Sequence, residues 1–272
     1  MSDTVLKFEN VSKEFRFYRS NHQRLMKEVV GLDVGEKVKV FEDISFEIKR
    51  GENVAIIGNH ASGKSTLMRM MAGIILPSGG KIECAVKDPM CIFDQKLGFD
   101  MGISGRDNIK MKAAILGWSK REEAEYEDEI IKFAEMEDII DFPLRSYQSG
   151  AISRLGLTIN TQVKPELLIY DAPFNFGGPS YLSKCVDRLK QITLEEDTTT
   201  VFTAANVPVT KELCQRGIVI DEGKIVYDSE LMDALKYFRL NCKPNVEAEL
   251  AAKARRKPAD VQVEDDSDDD DF

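Results

Sequence analysis

Residues 58–66 read Gly-Asn-His-Ala-Ser-Gly-Lys-Ser-Thr, and no other stretch restricts the chain's fold as strongly. The run follows a short apolar segment of strand length, NVAII (53–57), and opens a segment with helical spacing over about 64–73. Glycines at 58 and 63 let the backbone wrap closely around a small anion. Consecutive N–H groups and the start of the following helix then point at it. The pattern predicts a phosphate cradle made of Gly58, Asn59, His60, Ala61, Ser62, Gly63, Lys64, Ser65 and Thr66. Lys64 would reach the β- and γ-phosphates of a nucleotide, and the Ser65 hydroxyl would ligate Mg²⁺. At average glycine usage the pattern arises by chance in roughly 1% of chains this long. The competing reading is a glycine-rich turn that merely caps a helix, and the strand before and helix after the loop weigh against it.

Strand-like and helix-like segments alternate along the rest of the chain. Alternating apolar residues predict strands over 4–11 and 38–48, separated by a polar insertion at about 19–37. Buried strands are expected at 167–171 (LLIYD) and 198–204, and a hairpin at 217–227 turning on Asp221-Glu222-Gly223. Helices are expected over 105–140 with a break near Gly117–Ser119, over 150–162, 179–192 and 228–239, and over 245–257. This order predicts an α/β chain with a mixed, largely parallel sheet, an antiparallel β subdomain and a helical subdomain at about 100–162. The main domain is expected to span 1–240, with a C-terminal helix and acidic tail over 241–272.

Charge is uneven. The net charge is −10, yet the last nine residues, EDDSDDDDF, hold seven acidic side chains, so the remainder is near −3. Seven like charges in so short a run repel and cannot be buried, which predicts a disordered tail. No basic stripe is interleaved with aromatics, so nucleic acid is not an expected partner. The five cysteines lack CxxC spacing and read as reduced core thiols. No apolar run approaches a membrane span, and the N-terminal residues lack a signal-peptide core. A place on the cytosolic side of any membrane it serves is therefore expected.

Asp171 closes the apolar strand LLIYD and follows SYQSGAISRLGL (146–157), while Gln95 lies 31 residues after Lys64. This layout resembles the ATPase domain of ABC transporters over about residues 4–240. Within that family it is most similar to the ATP-binding subunits of capsular-polysaccharide, O-antigen and teichoic-acid exporters. The residues that carry the likeness are the insertion before VFEDISFEI, the segment ISGRDNI (103–109), and Tyr147, Gln148, Ser149, Gly150 and Ala151 in place of a Leu-Ser-Gly-Gly-Gln signature. The resemblance implies a P-loop NTPase fold that binds ATP and Mg²⁺, the metal held by Ser65, Gln95 and Asp171. It implies a head-to-tail dimer, either a homodimer or a heterodimer with another ABC subunit. The signature residues of one protomer would face the nucleotide on the other. Phe15 would stack on adenine, with Phe17 and Tyr18 as competitors. A membrane-embedded permease would be gripped by the helical subdomain and the Gln95 region, which places the chain at the cytoplasmic face of the membrane.

The sequence departs from that family where hydrolysis is performed. The family carries a carboxylate directly after the magnesium acid; this chain has Ala172. It carries a histidine at the end of the next strand; this chain has Ala204, and both histidines, His22 and His60, precede that strand. The segment after Ala172 ends Gly177-Gly178 where the family has Gly-Asp. Binding residues are retained, while the water-orienting group, worth ~10²–10⁴-fold in rate, is missing. The expectation is a chain that binds Mg-ATP and hydrolyses it slowly or not at all. It is then either a polysaccharide-export subunit or a catalytically silent ABC protein that acts as scaffold, regulator or degenerate half of a pair.

Overall fold

The computed structural model describes residues 3–18, 35–94, 98–194, 198–242 and 262–265. The insertion's residues 19–34, Gln95, the helix expected at 245–257 and the end of the tail lie outside the described residues.

Two sheets sandwich the first helix. Strands β1 (Thr4–Tyr18), β2 (Glu36–Lys49), β4 (Gly79–Cys84) and β10 (Gln262–Asp265) form an antiparallel sheet in which β1 is central. Strands β3 (Asn53–Gly58), β5 (Met90–Ile92), β6 (Leu167–Tyr170), β7 (Thr199–Thr203), β8 (Arg216–Asp221) and β9 (Lys224–Glu230) form the second sheet, ordered β5-β6-β7-β3-β8-β9. All its pairings are parallel except β8–β9. This is the mixed sheet that the alternating pattern predicts.

The core strands read as continuous apolar runs because both faces are covered. Alternate side chains of a strand point to opposite faces. Val54 and Ile56 of β3, with Leu167 and Ile169 of β6, enter one cluster with Leu67, Met68, Met70 and Met71 of α1 (Lys64–Met71) and with Phe8, Phe41 and Ile48 of the antiparallel sheet. Ala55, Ile57, Leu168 and Tyr170 enter the cluster on the other face. There they meet α5 (Pro179–Leu194), α6 (Val207–Leu213) and α7 (Leu231–Asn241).

A third cluster belongs to the helical subdomain: α2 (Gly105–Ile115), α3 (Lys120–Ala134) and α4 (Ser149–Asn160). The break near Gly117–Ser119 falls where predicted. Ser119 caps α3 in a reciprocal box with Glu122, and Gly117 takes a left-handed φ of 73°.

Two expectations need correction. The first antiparallel strand does not stop at Val11 but runs on to Tyr18, held by β2 on one edge. The acidic tail is not wholly unstructured either. Residues 262–265 pair antiparallel with β1, with Glu264 opposite Arg16 and Asp265 opposite Phe15. A strand edge offers backbone N–H and C=O groups that an acidic segment can pair with as well as any other. The thiols also divide: Cys185, Cys214 and Cys242 are buried, Cys91 is half-buried, and Cys84 is exposed.

Candidate functional site

The glycine loop leaves β3 at Gly58 and enters α1 at Lys64. A β-carbon on Gly58 would lie 2.5 Å from Ser62 Oγ and 2.6 Å from the Ile220 carbonyl oxygen, so the loop closes only over glycine. Ala61 and Gly63 take left-handed φ values of 65° and 95°, turning successive amides toward one side. No side chain caps α1, so its first-turn N–H groups have no side-chain cap to satisfy them. Ser62 Oγ is buried and has no hydrogen-bond partner.

Lys64 folds back over this turn. Its Nζ donates to the Gly58 carbonyl at 2.8 Å and to the Asn59 carbonyl at 2.6 Å. Burial pushes its pKa below the ordinary lysine value, with the charge of Asp171 acting in the opposite direction. A half-buried cation beside a helix start and an orphan hydroxyl is a setting made for a polyanion.

The loop is walled by the other sheet and by the β8–β9 hairpin. The Gly223 carbonyl accepts from Glu42 N at 3.3 Å, and a β-carbon on Gly223 would lie 2.4 Å from Val40 O. Between them lies a cleft of about 370 Å³ lined by Val38, Lys39 and Val40, by Asn59–Ser62, and by Asp221–Gly223. Phe15 sits directly across from Val38 in the β1–β2 ladder, so both side chains share a sheet face. The Lys13 ammonium stands 4.9 Å from the Phe15 ring centroid.

The parallel register brings the remaining core residues to the same edge of the sheet as the loop. Asp171 follows β6 and its amide donates to Ile92 O at 2.8 Å. Ala204 follows β7 and its amide donates to Ile56 O at 3.0 Å, one strand from Gly58. Ala172 is only 2% exposed and packs in the apolar cluster that also receives Ala204 and Phe174. Phe174 stacks on Tyr170 at 5.0 Å. Both alanines thus belong to an apolar cluster and bring no carboxylate or imidazole to this end of the sheet.

The segment 147–151 lies elsewhere in the fold, at the start of α4. Tyr147 is nearly buried, donates its hydroxyl to Ile139 O, and has a phenol pKa raised by burial. Gln148 and Ser149 are exposed, Gly150 and Ala151 buried. No side chain caps this helix. Within one chain the glycine loop, Asp171 and Ala204 converge, Phe15 shares the face of one cleft wall, and the α4 start stands apart. Glu222 and Lys39, which line the cleft, were not singled out by sequence reasoning. Only the turn signal Asp221-Glu222-Gly223 pointed to their neighbourhood. Among the described residues no cluster of His, Cys, Asp and Glu could hold a metal ion by itself.

Residues 41–175 match the family model for ABC transporters. ABC transporter protein AbcA of Aeromonas salmonicida is 34% identical over 233 residues, covering 85% of this chain and 74% of that protein. An O-antigen export system ATP-binding protein, RfbB of Klebsiella pneumoniae, is 31% identical over 82% of this chain and 92% of its own length. The teichoic acids export ATP-binding protein TagH of Staphylococcus haemolyticus is 28% identical over 92% of this chain and 94% of its own. A bacterial ABC transporter cassette solved as a dimer shares the fold with a TM-score of 0.65, at 19% identity, over 83% of this chain and 98% of that one. On this likeness the chain belongs to the family of ABC transporter ATP-binding domains.

Proposed function

We propose that this chain is the ATP-binding subunit of an ABC exporter of a cell-surface polysaccharide, a capsule-like polymer, and that it holds Mg-ATP with little or no hydrolysis. The observation that carries the reading is the loop Gly58–Thr66, with its orphan Ser62 hydroxyl and a Lys64 ammonium parked on two loop carbonyls. When phosphate oxygens enter the loop, Lys64 exchanges those carbonyls for a stronger, charge-assisted partner. Ser65, at the first turn of α1, and Asp171, at the end of β6, would hold the magnesium ion with Gln95, and that ion neutralises charge on the phosphates. Phe15 would stack on the base at the cleft's outer wall.

Export of a surface polymer is supported by the roles of the relatives, O-antigen and teichoic-acid export. No helix among the described residues is long and apolar enough to cross a membrane, which fits a peripheral subunit bound to a separate permease at the cytoplasmic face. The start of α4, with Tyr147, Gln148, Ser149, Gly150 and Ala151, would face the nucleotide of a second ATPase protomer, identical or not. Low turnover follows from Ala172 and Ala204. Neither methyl group orients water or contacts a γ-phosphate.

A second reading rests on the same two alanines: a silent ABC protein that serves as nucleotide-dependent scaffold, or as the degenerate half of a heterodimer. Affinity purification from the native cell separates the two. A co-purifying permease supports export. Recovery with an intact ATPase subunit supports the degenerate half, and recovery of neither contradicts both of these and leaves the scaffold.

A further inference from the structure

We propose that Arg154 is a positioning residue that locks the start of α4 to the loop 173–178 and to the end of α3, and so sets the face a second protomer must meet. The proposal rests on the reading of α4's first turn as the element that faces a partner's nucleotide.

Arg154 is 8% exposed, a buried guanidinium in the middle of α4. Its Nε donates to the Ala134 carbonyl at 3.1 Å and its Nη1 to the Phe176 carbonyl at 2.8 Å. Ala134 ends α3, so its carbonyl belongs to the negative end of that helix, where a cation is favoured. Phe176 lies five residues beyond Asp171, on the loop that follows it. The guanidinium plane also lies 3.7 Å from the centroid of Tyr181 on α5. One side chain therefore ties together the helical subdomain, the loop after the acid-ended strand, and the core helix α5.

The fork aligns a contact one turn away. A β-carbon on Gly150 would lie 2.5 Å from Gly177 N and 2.7 Å from Gly177 Cα, and Gly177 takes a left-handed φ of 106°. Two glycine backbones meet there with no side chain between them. A β-carbon on Gly177 would in turn lie 2.9 Å from Arg154 Nη1. Gly150, Gly177 and Arg154 thus form one packed unit, and the glycine at 177 leaves room for the guanidinium. Lysine cannot replace this arrangement, because one ammonium lacks the planar fork that reaches two carbonyls from different elements.

The test uses the full chain with Arg154→Lys, and with Arg154→Ala beside it. Three quantities are measured: melting temperature, Mg-ATP affinity at protein concentrations too low for association, and nucleotide-driven dimerisation by sedimentation. Hydrogen exchange is followed over residues 149–152 and 175–178. Arg154→Lys is expected to leave nucleotide affinity within about threefold of wild type, to weaken dimerisation at least tenfold, and to speed exchange in both segments together while residues 64–71 stay unchanged. The proposal is overturned if Arg154→Lys dimerises like wild type, or if dimerisation falls only in proportion to nucleotide affinity. Wild type that binds Mg-ATP without dimerising overturns it as well. Wild type that binds no Mg-ATP overturns the underlying reading of the site instead, along with this consequence of it.

Discussion

Gly63 and Phe41 approach so closely that a β-carbon on Gly63 would stand 2.6 Å from the Phe41 ring. The ring is buried at the centre of the core between the two sheets, so it has little room to retreat. Gly63 also holds φ at 95°, which costs a non-glycine residue about 1–3 kcal/mol. Gly63→Ala should lower stability by at least that amount and abolish nucleotide binding, as read by thermal denaturation and calorimetric titration. Adding Phe41→Leu should relieve the contact with the ring, but neither the 2.9 Å approach to Val40 Cγ1 nor the backbone strain. A fully stable Gly63→Ala that still binds nucleotide would contradict this account of the loop.

Asn53 and Thr200 form a buried pair that registers β3 against β7. Thr200 Oγ1 donates to Asn53 Oδ1 at 2.5 Å, and Asn53 Nδ2 donates to Thr193 O at 3.2 Å. Thr200→Val keeps the shape and strands the Asn53 oxygen, at a cost of about 1–3 kcal/mol. Urea unfolding measures it, and an unchanged midpoint would show that the pair contributes nothing to stability.

Two thiols should make the fold sensitive to alkali. Burial pushes Cys185 and Cys214 up to about 12. An unfolded cysteine loses its proton near ~8.5. Above that pH the unfolded chain therefore binds fewer protons than the folded one, and stability falls as pH rises. The contribution is complete below about 8.5 and declines toward 12. Urea midpoints from pH 7 to 10 should fall less steeply in a Cys185→Ala/Cys214→Ala variant. Parallel curves would rule out the thiols as the cause. In the native protein, exposed Cys84 should be alkylated first and these two last.

Restoring the missing chemistry should take more than one residue. Ala172 and Ala204 follow neighbouring strands at the same sheet edge. Ala172→Glu introduces a carboxylate into a largely apolar pocket beside Phe174. The single variant should raise turnover only modestly, and Ala172→Glu/Ala204→His should exceed both singles. Equal, negligible turnover in all three variants would argue against a hydrolytic role for these two positions.

The parts of the site built from local sequence were legible, and the parts built from packing were not. The cradle could be read because NVAII, the paired glycines and the helix start are contiguous. Asp171 could be read because LLIY is a run with both faces covered, ended by a charge. Strand β5 is three residues after Pro89 and carries no period, so nothing in the sequence marked it. Helix α6 did carry a signal that sequence reasoning passed over: Asn206 caps it through Val209 N and Pro208 occupies its first turn. Its seven residues are too few for helical periodicity to stand out beside that cue. The closeness of Gly150 to Gly177 and the reach of Arg154 to Ala134 and Phe176 join segments twenty or more residues apart, and no local pattern encodes them. The pairing of residues 262–265 with β1 escaped notice because their acidity marked them as tail.

The central claim is that this chain holds a nucleoside triphosphate through Lys64 yet barely hydrolyses it. It is tested most directly by measuring Mg-ATP affinity and turnover side by side for wild type and Lys64→Ala. The account predicts saturable binding by wild type, loss of that binding in the variant, and wild-type turnover close to background. Ordinary turnover that depends on Lys64, or binding of equal strength in both proteins, would contradict it.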